Sequence, residues 1–245
     1  MRTMAICAAI GLSIFAGTPA LADQTDPVGN GKQVYVYTVL HPLYGAIGTY
    51  TDTIVRSSET VRIEGCLRVA VKVLGVVAYR MESDTTEIMR GNRLISLQSV
   101  TDKDGEQLEV HGEAHGEQFV VNGTGGSSAG PADISPTDPW LLKHTGDETV
   151  VFTDTGRIYN VHISGGDLDT VSMNGAPVVA RHFIVMGVRR QEVWLNDREI
   201  PIRFRVIEDG TPIDFVLQDP KTKVSSTPVA DLQRSTQVRL ESGTH

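Results

Sequence analysis

Period-two alternation runs through almost the whole chain. Leu67, Val69, Val71 and Val73 fall on one face and Arg68, Ala70 and Lys72 on the other; Ile202, Phe204 and Val206 alternate with Arg203 and Arg205 in the same way. Successive side chains of a strand point to opposite sides, so such segments read as strands with one apolar and one wet face. That is the pattern of antiparallel sheets, since parallel sheets are covered on both faces and read as continuous apolar runs. Val77, Tyr79 and Met81 extend the apolar face past Gly75, which predicts a bend or bulge there.

Turn residues punctuate the strands at short intervals: Arg90-Gly91-Asn92, Lys103-Asp104-Gly105, Asp154-Thr155-Gly156, Asn174-Gly175 and Asp209-Gly210. Roughly a dozen strands fit between Val34 and Leu217. One segment departs from the alternation. Ser135-Pro136-Thr137-Asp138 offers an N-cap, a first-turn proline and an acid, and Trp140-Leu141-Leu142 an apolar face, predicting a short helix from about Pro136 to His144. The glycine- and serine-rich stretch from Asn122 to Gly130 reads as a flexible loop, and the polar residues after Asp219 as a disordered tail. A long sheet with one apolar face has to cover that face. The expectation is an all-β domain over residues 29–218, a single antiparallel meander curled into an open or half-closed barrel. The short helix would pack on its concave side.

The N-terminus reads as a signal for export. Arg2 precedes an uncharged apolar run from Met4 to Ala16; Gly17-Thr18-Pro19 breaks it, and Ala20-Leu21-Ala22 supplies a small-x-small cleavage pattern. The run is shorter than the ~20 residues that span a bilayer. Residues 1–22 are therefore expected to be a signal peptide cut between Ala22 and Asp23. Residues 23–28 then form a lead into the domain, and the protein is periplasmic or extracellular. No later run is long enough to span, so no transmembrane segment is expected. Cleavage removes Cys7 and leaves Cys66, which cannot pair within the chain and reads as a small buried thiol.

Charge and composition narrow the partners. Lys+Arg 22 against Asp+Glu 30 gives a net charge of −8, and aromatics are 6% of residues. Neither a basic surface nor a base-stacking platform is on offer, so nucleic acid is not an expected partner. Candidate catalytic motifs fail on spacing. Gly126-Ser127-Ser128-Ala129-Gly130 matches a nucleophile elbow in composition, yet no strand-to-helix turn surrounds it. His111 and His115 would stand about 13 Å apart on a strand, too far to share a zinc ion. Asp102-Lys103-Asp104-Gly105 opens like a calcium loop but has Gln107 where the sharp turn needs glycine. His162 and His182 read as strand residues. No cofactor and no metal site is expected. Arg181, Arg189, Arg190, Arg203 and Arg205 read either as a solvated sheet face or as a rim for anionic headgroups.

Three marks together resemble a family of secreted bacterial proteins of uncharacterised function. These are Tyr35-Val36-Tyr37 followed by Gly45-Ala46-Ile47-Gly48, the stretch from Ser135 to Leu142, and Trp194 through Ile213. At the family's Tyr-Asp and turn-glycine positions after the tryptophan, this chain has Leu195, Asn196 and Glu199. The family is similar to the LolA/LolB-like half-barrel carriers of lipids and lipoproteins in the bacterial envelope. That resemblance implies an open antiparallel barrel with an apolar interior. The function expected from these readings is non-catalytic binding of an apolar or lipid-like small molecule, with Trp140, Leu141, Tyr79, Met81, Trp194 and Phe204 as candidate ligand-binding residues. The alternative is an envelope scaffold with a packed core that contacts other envelope proteins, and a hydrolase or metal protein ranks third.

Overall fold

The computed structural model describes residues 31–141, 144–173 and 175–218, with the side chain of Leu141 excepted. The expected signal peptide, lead and polar tail, together with Leu142 and Asn174, lie outside the described residues. Fifteen strands follow in order: β1 (Gly31–His41), β2 (Gly45–Arg56), β3 (Val61–Val73), β4 (Val76–Arg90), β5 (Arg93–Lys103), β6 (Glu106–His115), β7 (Gln118–Gly123) and β8 (Gly126–Pro131). A two-residue β9 (Ser135–Pro136) and one 3-10 turn (Pro139–Leu141) lead into β10 (Gly146–Val151), β11 (Ile158–Met173), β12 (Ala176–Met186), β13 (Gln191–Leu195), β14 (Pro201–Glu208) and β15 (Thr211–Leu217).

All fifteen strands form one sheet in the order β8-β7-β6-β5-β4-β3-β2-β1-β15-β14-β13-β12-β11-β10-β9. Every pairing is antiparallel except β9 with β10. Beyond about ten strands a twisted sheet curls or splits, and this one curls. The first and last strands pair in its middle, Tyr37 opposite Leu217, so the middle of the chain supplies both free edges. Those edges approach without forming a ladder. Ile134 and Val151 pack with Leu97, Phe119 and Val121 in the space between them, and a Cβ on Gly130 would come within 2.8 Å of Ile134 Cδ1. The barrel is left open in its hydrogen bonding, and side chains fill the seam. Among the described residues, no helix is long and apolar enough to cross a membrane.

Three local expectations need correcting. The helix over 136–144 is a single 3-10 turn, because Pro139 lacks the N–H that the first helical hydrogen bond requires and biases Asp138 away from helical geometry. Asp138 then acts as the cap, its Oδ1 accepting the Trp140 N–H at 2.9 Å. The loop over 122–130 is largely strand: β7 and β8 form a hairpin with Gly123 opposite Gly126. Its small side chains suit an edge strand that pairs on one side only. Gly75 marks no bend in one long strand; Leu74 and Gly75 are the two turn residues of the β3–β4 hairpin, with φ 52° and 83°.

Candidate functional site

The concave faces of the strands enclose a cavity of about 850 Å³. Its walls carry the alternating apolar residues, among them Leu67 and Val69 from β3, Tyr79 and Met81 from β4, Phe204 from β14 and Ile213 from β15. Such a volume falls within the usual range for small-molecule sites. Phe204 stacks on Phe215 with centroids 4.3 Å apart and meets Tyr37 and Tyr50 edge-on, which fixes that part of the wall. Gly65 is required where β3 crosses the inner end: a Cβ there would lie 2.4 Å from Thr85 Oγ1 and 3.1 Å from the Tyr50 hydroxyl.

At the inner end the lining turns acidic. Residues 135–139 cross the barrel there, and Asp138 faces the cavity beside Glu87 and Thr85 of β4 and Tyr50 of β2. Asp52 lies in the same group, fully buried, with its Oδ2 accepting the Trp140 indole N–H at 2.8 Å. Glu87 is 2% exposed, and its Oε2 has no hydrogen-bond partner among the described residues. Burial pushes all three carboxyls up from their ordinary range. Asp138 rises to about 6; Asp52 and Glu87 rise well above normal, with the Asp138 charge adding to the effect of burial. Tyr37 and Tyr50 are raised for the same first reason, burial, and then by the Asp52 charge. Among the described residues, no cation contributes to the shift of any of the three carboxyls.

The opposite end is the mouth. It is ringed by the β1–β2, β3–β4, β5–β6, β10–β11, β12–β13 and β14–β15 turns, with Tyr44, Val73, Lys103, Thr155, Arg189 and Asp209 on its rim. Leu43 is 83% and Leu74 100% exposed at two of these tips, and Val76 and Val77 are exposed beside Leu74.

The candidate residues named from the sequence separate into three groups. Tyr79, Met81 and Phe204 line the cavity. Trp140 does not line it: its ring packs on Tyr35 at 4.3 Å and anchors the crossing segment through Asp52. Leu141 belongs to the 3-10 turn that follows this anchor. Trp194 is on the other side of the wall. It is opposite Arg203 in the ladder, one residue out of phase with the cavity-facing Val193–Phe204 pair. There it stacks on His182 at 4.4 Å under the Arg203 and Arg205 guanidinium groups. Only the register of β13 against β14, with Trp194 opposite Arg203, shows Trp194 to be outward; its size made it look like lining.

The arginines do not converge on a rim. Arg203 and Arg205 share Asp214, Arg190 meets Glu192, Arg181 meets Glu199, and Arg189, at the mouth, meets Asp154 at 2.8 Å. Cys66 is half-buried and faces outward, since its neighbours Gly65 and Leu67 line the cavity. Burial pushes its thiol up, Arg68 opposing. Ser127 and Ser128 lie on the edge strand β8, and His111 and His115 four residues apart on β6. Asp102 and Asp104 serve the hairpin, accepting the N–H groups of Gly105 and Arg80. Among the described residues, no three His, Cys, Asp or Glu side chains are grouped to hold a metal ion. Sequence reasoning missed the acidic inner end. The signal was there as acids at inward-facing positions, Asp52 in step with Tyr50 and Glu87 in step with Thr85 and Met89.

Comparison with known proteins agrees with this architecture. A family model described as a domain of unknown function (DUF6134) matches residues 45–218. No curated protein matches the chain. Among solved structures, the chain is similar to a β-barrel-like protein of the domain of unknown function DUF1849 from Brucella abortus. The TM-score is 0.58 at 10% identity, over 77% of this chain and 95% of that one. At that identity the likeness is one of fold.

Proposed function

The chain belongs to the DUF6134 family of unknown function, and we propose from its interior that it is a non-catalytic binding protein for an apolar or amphipathic, lipid-like molecule. The observation that carries this reading is the cavity: about 850 Å³ with an apolar wall, inside a barrel that has aromatic and aliphatic residues enough to pack itself shut elsewhere. A scaffold that acts by surface contacts has no use for such a space, because an unfilled apolar volume weakens a core. The exposed leucines and valines at the mouth support the same reading, since apolar groups around an opening favour passage of an apolar molecule. We place this function in the periplasm or outside the cell, after removal of residues 1–22 on the strength of the N-terminal sequence.

The test is export of the full chain in a bacterial host, purification without detergent, and mass spectrometry of both protein and organic extract. The expected result is a mature protein beginning at Asp23 that carries an extractable amphiphile in constant proportion. A protein that carries none, and whose melting temperature is unmoved by apolar probes, overturns the binding reading.

A further inference from the structure

The inner end of the cavity has a chemistry that a purely apolar cargo would not use. Glu87 is buried to 2% exposure, faces the cavity, and has an Oε2 with no hydrogen-bond partner. Asp138 faces the same space from the crossing segment, and Asp52 is buried within the same group. A buried polar group without a partner weakens the fold unless something supplies the missing bond. Nothing within the described residues does so: no Lys, Arg or His forms an ion pair with any of the three. Nor are they grouped as a metal cage. A hydrogen-bond donor entering with a ligand would supply the missing bond.

We infer that the cavity takes an amphiphile head-first, with an ammonium group donating hydrogen bonds to Glu87 and Asp138 and its hydrocarbon chain lying along Leu67, Val69, Met81 and Phe204 toward the mouth. An ammonium fits better than a hydroxyl on count and on charge. It brings three donors and no acceptor, and a cation turns a group of mutually repelling acids into paired ones. A carboxylate or phosphate head meets the opposite situation. Chain length is accommodated: Glu87 and Met81 are six residues apart on β4, about 20 Å of strand. The inference rests on the binding reading above and assigns the head chemistry of that same site.

Three probes with one chain and different heads test it on the unmodified mature protein: tetradecylamine, tetradecanol and tetradecanoate, each below its micelle concentration, by calorimetry near neutral pH. The amine is expected to bind at least tenfold more tightly than the alcohol, with the acid weakest. In the Glu87→Gln, Asp138→Asn double variant the amine should fall to the alcohol's affinity, while the alcohol still binds. Equal affinity for amine and alcohol, preference for the acid, or an amine preference that survives in a folded double variant overturns the assignment and leaves the binding reading standing. Binding of none of the three overturns both.

Discussion

At its inner end the cavity holds two buried carboxyls, Asp52 and Glu87, beside a half-buried third, Asp138, with no cation among the described residues paired to them; at its mouth it holds Leu43, Leu74, Val76 and Val77 in water without a cover. Polar groups are inside at one end and apolar groups outside at the other. Folding rewards neither arrangement. Between the two ends the wall is mainly apolar inward, its Ser83 and Thr101 hydroxyls bonded to each other, with paired charges outward, down to the Arg203 and Arg205 guanidinium groups on Asp214. Departures from the rule at the two ends of one cavity are what the proposed binding function accounts for and folding alone does not. In the proposed complex, an amphiphile with its donor head inward and its tail toward the mouth would answer both.

The inner end should be the structurally demanding one. Trp140 fixes the crossing segment by its ring contact with Tyr35 and its bond to Asp52, and truncating it leaves a void and a buried carboxylate without its indole donor. Trp140→Ala is expected to destabilise the protein by about 3 kcal/mol, the lower part of the range for aromatic truncation because the ring is only half-buried. Urea unfolding followed by circular dichroism measures it. A loss under about 1 kcal/mol would mean that the segment is a loose lid, and that the two ends differ less than their contacts indicate.

The carboxyls at that end set a pH dependence opposite to ordinary acid denaturation. Asp138 has a folded pKa of about 6 against an ordinary value of 3.8. The folded state therefore holds a proton that the unfolded chain gives up, so stability is full below the unfolded value and is lost as pH rises through the folded one. Asp52, Glu87, Tyr37 and Tyr50 are the titratable groups around it, and the two acids shift in the same direction. Asp138→Asn keeps an oxygen for the Trp140 N–H and removes the titration. Two units correspond to about 2–3 kcal/mol. The variant should be more stable than wild type by that order at about pH 8 and close to it at about pH 4, in thermal melts at both. A gap independent of pH would mean that Asp138 titrates alike in the folded and unfolded states.

How far these two ends could be read from the sequence follows from what each does to the alternation. The walls were legible, because Leu67 to Val73 and Ile202 to Val206 alternate without interruption, and the antiparallel meander and its open barrel follow from that. The crossing segment was half legible: Asp138-Pro139 starts a turn and not a helix, and the cap is Asp138, three residues after the Ser135 that the sequence suggests. The acidic end was not read, because a single Asp or Glu in a strand looks solvated until its register against neighbouring strands is known. Nor was the β3–β4 turn. Asp104-Gly105 and Asp209-Gly210 announce their hairpins, but in Leu74-Gly75 an aliphatic residue stands where a two-residue turn favours Asn or Asp, and it reads as more strand.

That leucine gives the smallest and most discriminating prediction. Three two-residue hairpins with both turn residues at positive φ reach the mouth. Two have aspartate first, Asp104 at 53° and Asp209 at 47°, and the third has Leu74 at 52°. The left-handed region is disfavoured for leucine and tolerated by Asn and Asp. Leu74 is also fully exposed, so its side chain gains nothing from packing. Both backbone and solvent therefore argue for replacement, and Leu74→Asn should leave stability unchanged or raise it by a few tenths of a kcal/mol, up to about 1. If the mouth is where an apolar molecule enters, the same variant should take up an environment-sensitive apolar dye more slowly and be retained less on a hydrophobic matrix, at unchanged final occupancy. Leu43→Asn, on the neighbouring tip, provides the parallel test away from the strained turn. A Leu74→Asn protein that loses stability would show that the side chain is packed by some part of the chain, and the contrast between a structural inner end and a functional mouth would fail at its outer edge. One that keeps both its stability and its uptake rate would leave the mouth's exposed leucine with neither a structural nor a functional reason.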